Sequence, residues 1–242
     1  MSSAHREDVQ PDPNKPKGVQ MRVAVVGGTA GIGYGIALRL AKAGDEVVIG
    51  GRLAEKAERI AGEAAALLPD ASISGMANVD AVVDRDLVVV TVPYPGLADT
   101  YKGLKEKMTP GTVVLDCNVP LASELGGKPT RVLGVWEGSA AQQAKGILGK
   151  DFPVASGFHT VMGGKLIKLD SPVGADVLVC GDAKAKPVVQ EAVEKIEGAR
   201  YVDCGPLETA RILESLTALL IGINIRFKLD PGAGLKVTGL PD

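Results

Sequence analysis

The chain has 242 residues, enough for one full domain and a small second unit but not for two large ones. A formal net charge of −2 supplies no basic field for nucleic acid or an anionic membrane, and aromatics at 3% give no base-stacking platform. Three scattered cysteines, Cys117, Cys180 and Cys204, form no CxxC, so no zinc site or redox dithiol is expected; one of the two histidines, His5 and His159, lies in the N-terminal stretch, which excludes a multi-histidine metal centre, and the odd cysteine count fits reduced thiols in a cytoplasmic protein. Residues 1–20 are polar, carry three prolines and lack the apolar core of a signal peptide, which predicts a disordered tail. A buried strand follows at Arg22 to Val26, then a glycine-rich turn at Gly27 to Gly33. Tyr34 to Ala43 has apolar residues at helical spacing and Gly44 to stop it. Strands are predicted at Glu46 to Ile49, Ser72 to Gly75, Leu87 to Val92, Thr112 to Asp116 and Phe152 to Ser156. Helices are predicted between them at Leu53 to Leu67, Asn78 to Arg85, Leu97 to Met108 and Ser139 to Leu148.

This alternation is the pattern of an α/β fold with a doubly wound parallel sheet. The texture changes near Lys150, dividing the chain into 21–150 and a smaller α/β unit, 151–242. The second unit has strands near Val177 to Cys180 and Arg200 to Asp203, with a helix at Lys186 to Ile196 between them. Pro206 then opens a long helix with Leu207, Ile212, Leu216, Leu219, Leu220 and Ile223 as apolar positions. That helix is apolar around much of its girth and is expected to be buried, across a subunit interface if not within the chain. Pro231 to Asp242 reads as irregular, and no apolar run reaches the roughly 18 residues of a bilayer span.

The run VAVVGGTAGIGYGIALRL carries the most chemistry. A strand leads into glycines and a helix follows at once, the context of the dinucleotide-binding turn G-x-G-x-x-G/A. Gly28, Ala30 and Gly33 take the three motif positions; Ala30 departs from the usual second glycine, and Gly31 beside it keeps the turn open. Small residues let the backbone approach a pyrophosphate, and a helix start offers N–H donors and a positive dipole end. The cofactor-binding set here is Gly28, Thr29, Ala30, Gly31, Ile32 and Gly33. An NAD-binding chain places Asp or Glu at the end of the second strand, about 20 residues on, for the ribose diol. This chain has Gly50-Gly51-Arg52 there, with Lys56 one turn later, so the nucleotide is expected to be NADP, its 2′-phosphate held by Arg52 and Lys56. Ligands of open α/β sheets sit outside the carboxyl ends of the strands, so Thr91, Val92 and Pro93 should border the cofactor, and Asn118, Val119 and Pro120 its nicotinamide side.

Two further segments read as site material: Ser156 to Val161 (SGFHTV), and Gly205 through Thr217. With these the chain resembles the F420-dependent NADP oxidoreductases, on GGTAGIG with GGR and EK, TVPYPGLADT, GSAAQQ, SGFHTV, VLVCGD and CGPLETARILESLTALL, in order over residues 21 to about 229. The resemblance implies a Rossmann domain at 21–150 that binds NADP, a C-terminal domain at 151–242 for the deazaflavin coenzyme F420 (8-hydroxy-5-deazaflavin), a homodimer, and hydride transfer between the two small molecules. It matches Thr29, Arg52 and Lys56 to positions that hold the NADP phosphates, and Gly51 to a family serine. It matches His159 and Val161 to the deazaflavin pocket, with Leu219 or Leu220 near a further lining position. His159 would hydrogen-bond a ring carbonyl, the one catalytic assignment. Met162 to Lys165 and the end after Phe227 depart from the family pattern, and both fall on the deazaflavin side.

Direct hydride transfer needs proximity, orientation and exclusion of water more than a protein base, which suits the scarcity of acid–base residues. Other readings on the same fold are an NADPH-dependent reductase of another acceptor, such as a pterin, and a non-catalytic NADP sensor. A short-chain dehydrogenase fits poorly: Tyr101 and Lys105 spell Y-x-x-x-K, but too early in the chain and without a serine about a dozen residues before.

Overall fold

A computed structural model describes residues 19–240. The tail expected at 1–20 lies outside the described residues except for Val19 and Gln20, which are exposed. Eight strands form one sheet in the order β3-β2-β1-β4-β5-β6-β7-β8. They are β1 (Arg22–Val26), β2 (Glu46–Gly51), β3 (Ile73–Ala77), β4 (Leu87–Val90), β5 (Val113–Asp116), β6 (Val154–Ser156), β7 (Ala175–Gly181) and β8 (Ala199–Asp203). The helices are α1 (Gly31–Lys42), α2 (Ala54–Leu67), α3 (Asn78–Ala81), α4 (Leu97–Lys105), α5 (Ala140–Leu148), α6 (Gly163–Ile167), α7 (Lys186–Glu194) and α8 (Ala210–Phe227).

The central strands are apolar at nearly every position, with Arg22 at the start of β1 and Asp116 at the end of β5 as exceptions, because both sheet faces are covered. Val23, Val25, Leu87 and Val89 point into one core with α1, α2, α6 and α7. The alternate residues Ala24, Val26, Val88 and Val90 point into the other with α3, α4, α5 and α8. This is the doubly wound α/β arrangement that the alternating pattern predicts, with strand order reversing between β1 and β4.

The sheet departs from a fully parallel one at β6 and β7, which pair antiparallel with Ser156 opposite Cys180. The cause lies in the 157–174 connection. A parallel return needs a crossover helix as long as a strand. Here the helix is α6, five residues and about 7.5 Å of rise. The chain therefore re-enters the sheet from the end it left, and β8 follows parallel to β7. Seven-residue β7 overhangs three-residue β6 at its carboxyl end. Residues 158–160 lie along that overhang, where Thr160 Oγ1 donates to the Asp176 carbonyl at 3.2 Å.

Helix α6 was not expected, since Met162-Gly163-Gly164-Lys165 has weak helical propensity. Tertiary contacts impose it. Arg39 of α1, 3% exposed, donates from Nε to the Leu166 carbonyl and from Nη2 to those of Lys165, Lys168 and Ser171. Gly35 lets α1 and α6 touch, since a Cβ there would sit 2.5 Å from Leu166 Cβ.

Helix α8 also differs from expectation. Pro206 precedes a 3₁₀ turn at Leu207–Thr209, and the α-helix begins only at Ala210. Nor is it buried all round: Leu213, Glu214, Ala218 and Leu220 face the core, while Ile212, Leu219, Ile225 and Phe227 are exposed. Among the described residues no helix is long and apolar enough to cross a membrane.

Replacing Arg39 removes the donor from the buried Leu166 carbonyl and from three part-buried carbonyls of the 165–171 segment. Arg39→Ala is expected to lower unfolding stability by about 3 kcal/mol in urea titration. Hydrogen exchange at 163–167 should accelerate more than in β1; equal protection in both would show that Arg39 does not hold α6.

Candidate functional site

The site lies over the carboxyl ends of β1, β4 and β5, at the point where strand order reverses. After Val26 the chain turns through Gly27 at φ +77°, where a Cβ would stand 2.9 Å from the Thr91 carbonyl oxygen. A Cβ on Gly28 would meet the Val25 carbonyl oxygen at 2.7 Å, and one on Gly33 would meet Thr91 Oγ1 at 2.3 Å. These glycines let β1, β4 and α1 converge more closely than side chains permit. Helix α1 starts at Gly31 rather than at Tyr34, with Ala30 extended as its N-cap and no side-chain cap. Its first-turn N–H groups therefore face the turn without a side-chain acceptor.

The resulting cleft, about 600 Å³, is lined by Thr29, Ala30, Gly31 and Ile32 on one side and by Thr91, Val92 and Pro93 on the other. It adjoins a recess of about 490 Å³ made by Thr29, Arg52, Leu53 and Lys56. Arg52 and Lys56 are exposed, and among the described residues neither forms a salt bridge. A hydroxyl and two uncommitted cations at the end of the second strand, with no carboxylate on the recess, are a donor set for a phosphate. The glycine-lined turn, the uncapped helix start and this recess together fit an NADP molecule. The sequence pattern missed Asn78, Pro95, Gly96 and Thr100 on the cleft wall. Asn78 follows β3 directly, and its Oδ1 accepts the Gly27 N–H at 3.3 Å. The rule that ligands gather at strand carboxyl ends would have found it.

A second, apolar cavity of about 270 Å³ shares Ile32 with the first. Its walls include Cys117, Val119, Phe158, His159, Val161, Met162, Thr217 and Leu220. His159 and Val161, matched to the deazaflavin pocket, thus share a wall with Val119, which the sequence assigned to the nicotinamide side. Of the two leucines, Leu220 lies on this wall; Leu219 is 56% exposed and faces away from it. His159 is 7% exposed and its pKa is pushed down to about 4 by burial, so the ring is neutral at pH 7.

Asn118 and Pro120 are buried behind this wall rather than on it. Asn118 donates its N–H and Nδ2 to Asp116 at 3.1 and 2.7 Å, and its own Oδ1 is buried without a partner among the described residues. Asp116 also accepts the Tyr101 hydroxyl at 2.6 Å. Burial raises Asp116 to about 6 against these hydrogen bonds, which hold it down. Glu214 of α8, 1% exposed, accepts the first two N–H groups of α5, from Ala140 and Ala141, at 3.0 and 3.2 Å. Burial first, and then the charge of Asp116, raise Glu214 to about 8 despite those donors. None of Asp116, Tyr101 and Glu214 was singled out from sequence as part of this cluster.

The fold and the phosphate-fitting turn define a Rossmann-type dinucleotide-binding protein. A family model described as NADP oxidoreductase, coenzyme F420-dependent, matches residues 22–120. The F420-dependent NADP reductase of Methanocaldococcus jannaschii is 43% identical over 225 residues, 91% of this chain and 99% of that protein. That of Methanothermobacter thermautotrophicus is 40% identical over 226 residues, 92% of this chain and 97% of that protein. Among solved structures, one from Arthrobacter sp. FB24 described as an F420-dependent NADP-reductase superposes with a TM-score of 0.72 at 24% identity, covering 86% of this chain and 95% of that one. A UDP-D-ManNAc dehydrogenase from Pyrococcus horikoshii superposes at 0.60 and 18% identity, covering 85% and 50%. These two likenesses bear on the fold alone. The chain belongs to the F420-dependent NADP reductase family.

The two buried carboxyls set a pH dependence. A carboxyl whose folded pKa is raised contributes stability below its ordinary pKa, and that contribution is lost as pH rises through the folded value. For Glu214 the window runs from 4.5 to about 8, and for Asp116 from 3.8 to about 6. Stability should therefore decline from pH 5 to pH 8. Glu214→Gln should flatten the decline by up to about 1.4 kcal/mol per pH unit. Urea midpoints across that range measure it; an unchanged slope would show that Glu214 is ionised throughout.

Proposed function

We propose that this protein transfers hydride between NADP(H) and the deazaflavin coenzyme F420. The observation that carries the reading is the pair of adjoining cavities that share Ile32. One fits a phosphate-bearing nucleotide and the other is apolar, fit for a flat ring. The curated relatives covering nearly the whole chain are F420-dependent NADP reductases, which supports the same assignment. In this reading the chain divides functionally near residue 150, with 21–150 serving the nucleotide and the remainder serving the deazaflavin.

Thr29, Arg52 and Lys56 hold the 2′-phosphate, and Gly28 to Gly33 with the start of α1 hold the pyrophosphate. Val92 and Pro93 border the nicotinamide side; Asn118 and Pro120 support it from behind, and Val119 reaches the cavity. When bound, NADPH supplies the hydride and the deazaflavin substrate accepts it. What the chain itself provides is placement and dryness. Ile32, Val119, Phe158, Val161 and Leu220 keep water from the junction of the two cavities, and Leu219 takes no part there. His159, neutral and buried, contributes a hydrogen bond to a ring carbonyl rather than a charge.

The test follows deazaflavin absorbance with NADPH and F420 together, with NADH as control. Rapid bleaching with NADPH alone of the two nucleotides is expected; NADPH binding without F420 turnover would overturn the assignment. Arg52→Ala should raise the KM for NADPH by about 10- to 100-fold, the worth of one or two charged hydrogen bonds, and leave the NADH value nearly unchanged.

The same reading includes a homodimer and a cytoplasmic location. Along α8 the residues Ile212, Leu219, Ile223 and Phe227 recur at steps of seven and four, and three of them are exposed, while Leu216 packs against the core. Such a stripe suits pairing with its own copy. Free Cys117, Cys180 and Cys204 suit a reducing compartment. Sedimentation should give twice the chain mass for the wild type and a shift toward the chain mass for Leu219→Glu. A monomeric wild type would remove the dimer from this reading.

A further inference from the structure

Ser156 ends β6 and is fully buried. Three residues later His159 lies on the wall of the apolar cavity. Between them the chain doubles back through Gly157 and through Phe158 at φ +68°, a conformation rarely taken by a bulky side chain. A Cβ on Gly157 would press on Val179 Cγ2 at 3.1 Å. This turn brings His159 Nε2 to 2.8 Å from Ser156 Oγ. The backbone is pinned on both sides of the ring: Thr217 Oγ1 donates to the His159 carbonyl at 2.8 Å, and Thr160 Oγ1 to the Asp176 carbonyl at 3.2 Å. The other ring nitrogen, Nδ1, is buried and has no partner among the described residues.

The arrangement decides where the ring proton sits. A neutral imidazole has one N–H donor and one acceptor nitrogen, and a serine hydroxyl has one proton and two lone pairs. Among the described residues Nε2 is the sole partner of Ser156 Oγ. If the hydroxyl donates to Nε2, the ring proton is on Nδ1 and only that N–H is left without a partner. If Nε2–H donates to the hydroxyl, the serine proton and the Nδ1 lone pair are both orphaned in the interior. Each buried orphan carries a desolvation cost, so the first arrangement is favoured.

We propose that Ser156 is a positioning residue that fixes His159 as the Nδ1–H tautomer, so that Nδ1–H is the donor awaiting a carbonyl oxygen on the flat ring in the apolar cavity. Ser156 acts through His159 and does not touch the ring. The proposal rests on the reading of that cavity as the deazaflavin site, and its test separates the two. The chain has two histidines, so long-range proton–nitrogen NMR of full-length protein labelled with 15N-histidine gives a simple spectrum, with His159 identified by its loss in His159→Gln. The wild type should show His159 as a single Nδ1–H tautomer. Ser156→Ala should shift it toward Nε2–H and lower kcat with F420 about tenfold, with the KM for NADPH unchanged. Ser156→Thr, which keeps the hydroxyl, should restore both the tautomer and the rate. A wild-type Nε2–H tautomer would overturn the proposal, and that reading needs no variant to fold. So would an Nδ1–H tautomer that survives Ser156→Ala, or a tautomer shift with no change in kcat. Absence of F420 turnover in the wild type would instead sink the functional reading, with the tautomer result judged separately.

Discussion

The guanidinium of Arg39 is the tie on which the rest of the site depends. Four carbonyls from Lys165 to Ser171 converge on one buried side chain of α1. Without that tie, a segment carrying two glycines and a five-residue helix would have little reason to lie against α1. With it, Gly163 stands so close to Ile32 that a Cβ would meet the Ile32 nitrogen at 3.1 Å. Ile32 is the residue that borders both cavities. One arginine on the helix that begins at the phosphate turn thus also fixes the far wall of the neighbouring pocket, and the distance between the cavities becomes a property of a single helix. The antiparallel entry of β7 follows from the same short connection and supplies the overhang along which His159 and Thr160 are laid.

What was legible in the sequence was whatever depends on neighbours in the chain. The turn from Gly27 to Gly33, the strands of both halves and the missing acidic residue at Gly51-Arg52 all express local rules of φ, periodicity and charge. What was not legible depends on residues far apart in sequence. Helix α6 has poor propensity and exists through Arg39, more than 120 positions earlier. The reversal of β7 follows from a connection whose length alone, 157–174, would have allowed either direction. The choice between Leu219 and Leu220 turns on helical phase, which an evenly apolar stretch does not reveal. The exposed positions of α8, Ile212, Leu219, Ile225 and Phe227, have the composition of a core face, so the sequence predicted burial all round and did not single out the side that stays exposed in the chain.

The cluster around Asp116 was hidden for a different reason. Nothing about a lone aspartate at a strand end signals that it will lose all contact with water. It does so because the hydroxyl of Tyr101 and the amide of Asn118 come to it from different elements. Glu214 is held in a comparable way, with the start of α5 as its partner instead of a cation. Helix starts are suited to anions, yet burial and the neighbouring carboxylate still raise Glu214 to about 8. Of two carboxyls that resist ionising near one another, Asp116 ties α4 to the end of β5 and Glu214 ties α8 to the start of α5. They do so behind Val119, so the strand end that faces the apolar cavity is fixed from its rear.

These restraints suit a reaction in which the protein moves no proton. Hydride transfer between two planar rings has a steep dependence on separation and angle, and it suffers from water at the junction. A protein built for it would place its rigidity in the walls and leave few ionised groups inside. The junction here has that character. His159 is uncharged, Asp116 and Glu214 lie off the cavity wall, and Arg52 and Lys56, neither of them in a salt bridge among the described residues, line the recess beside the cleft. Charge is thereby kept to the recess beside the cleft, and the interior is left to geometry.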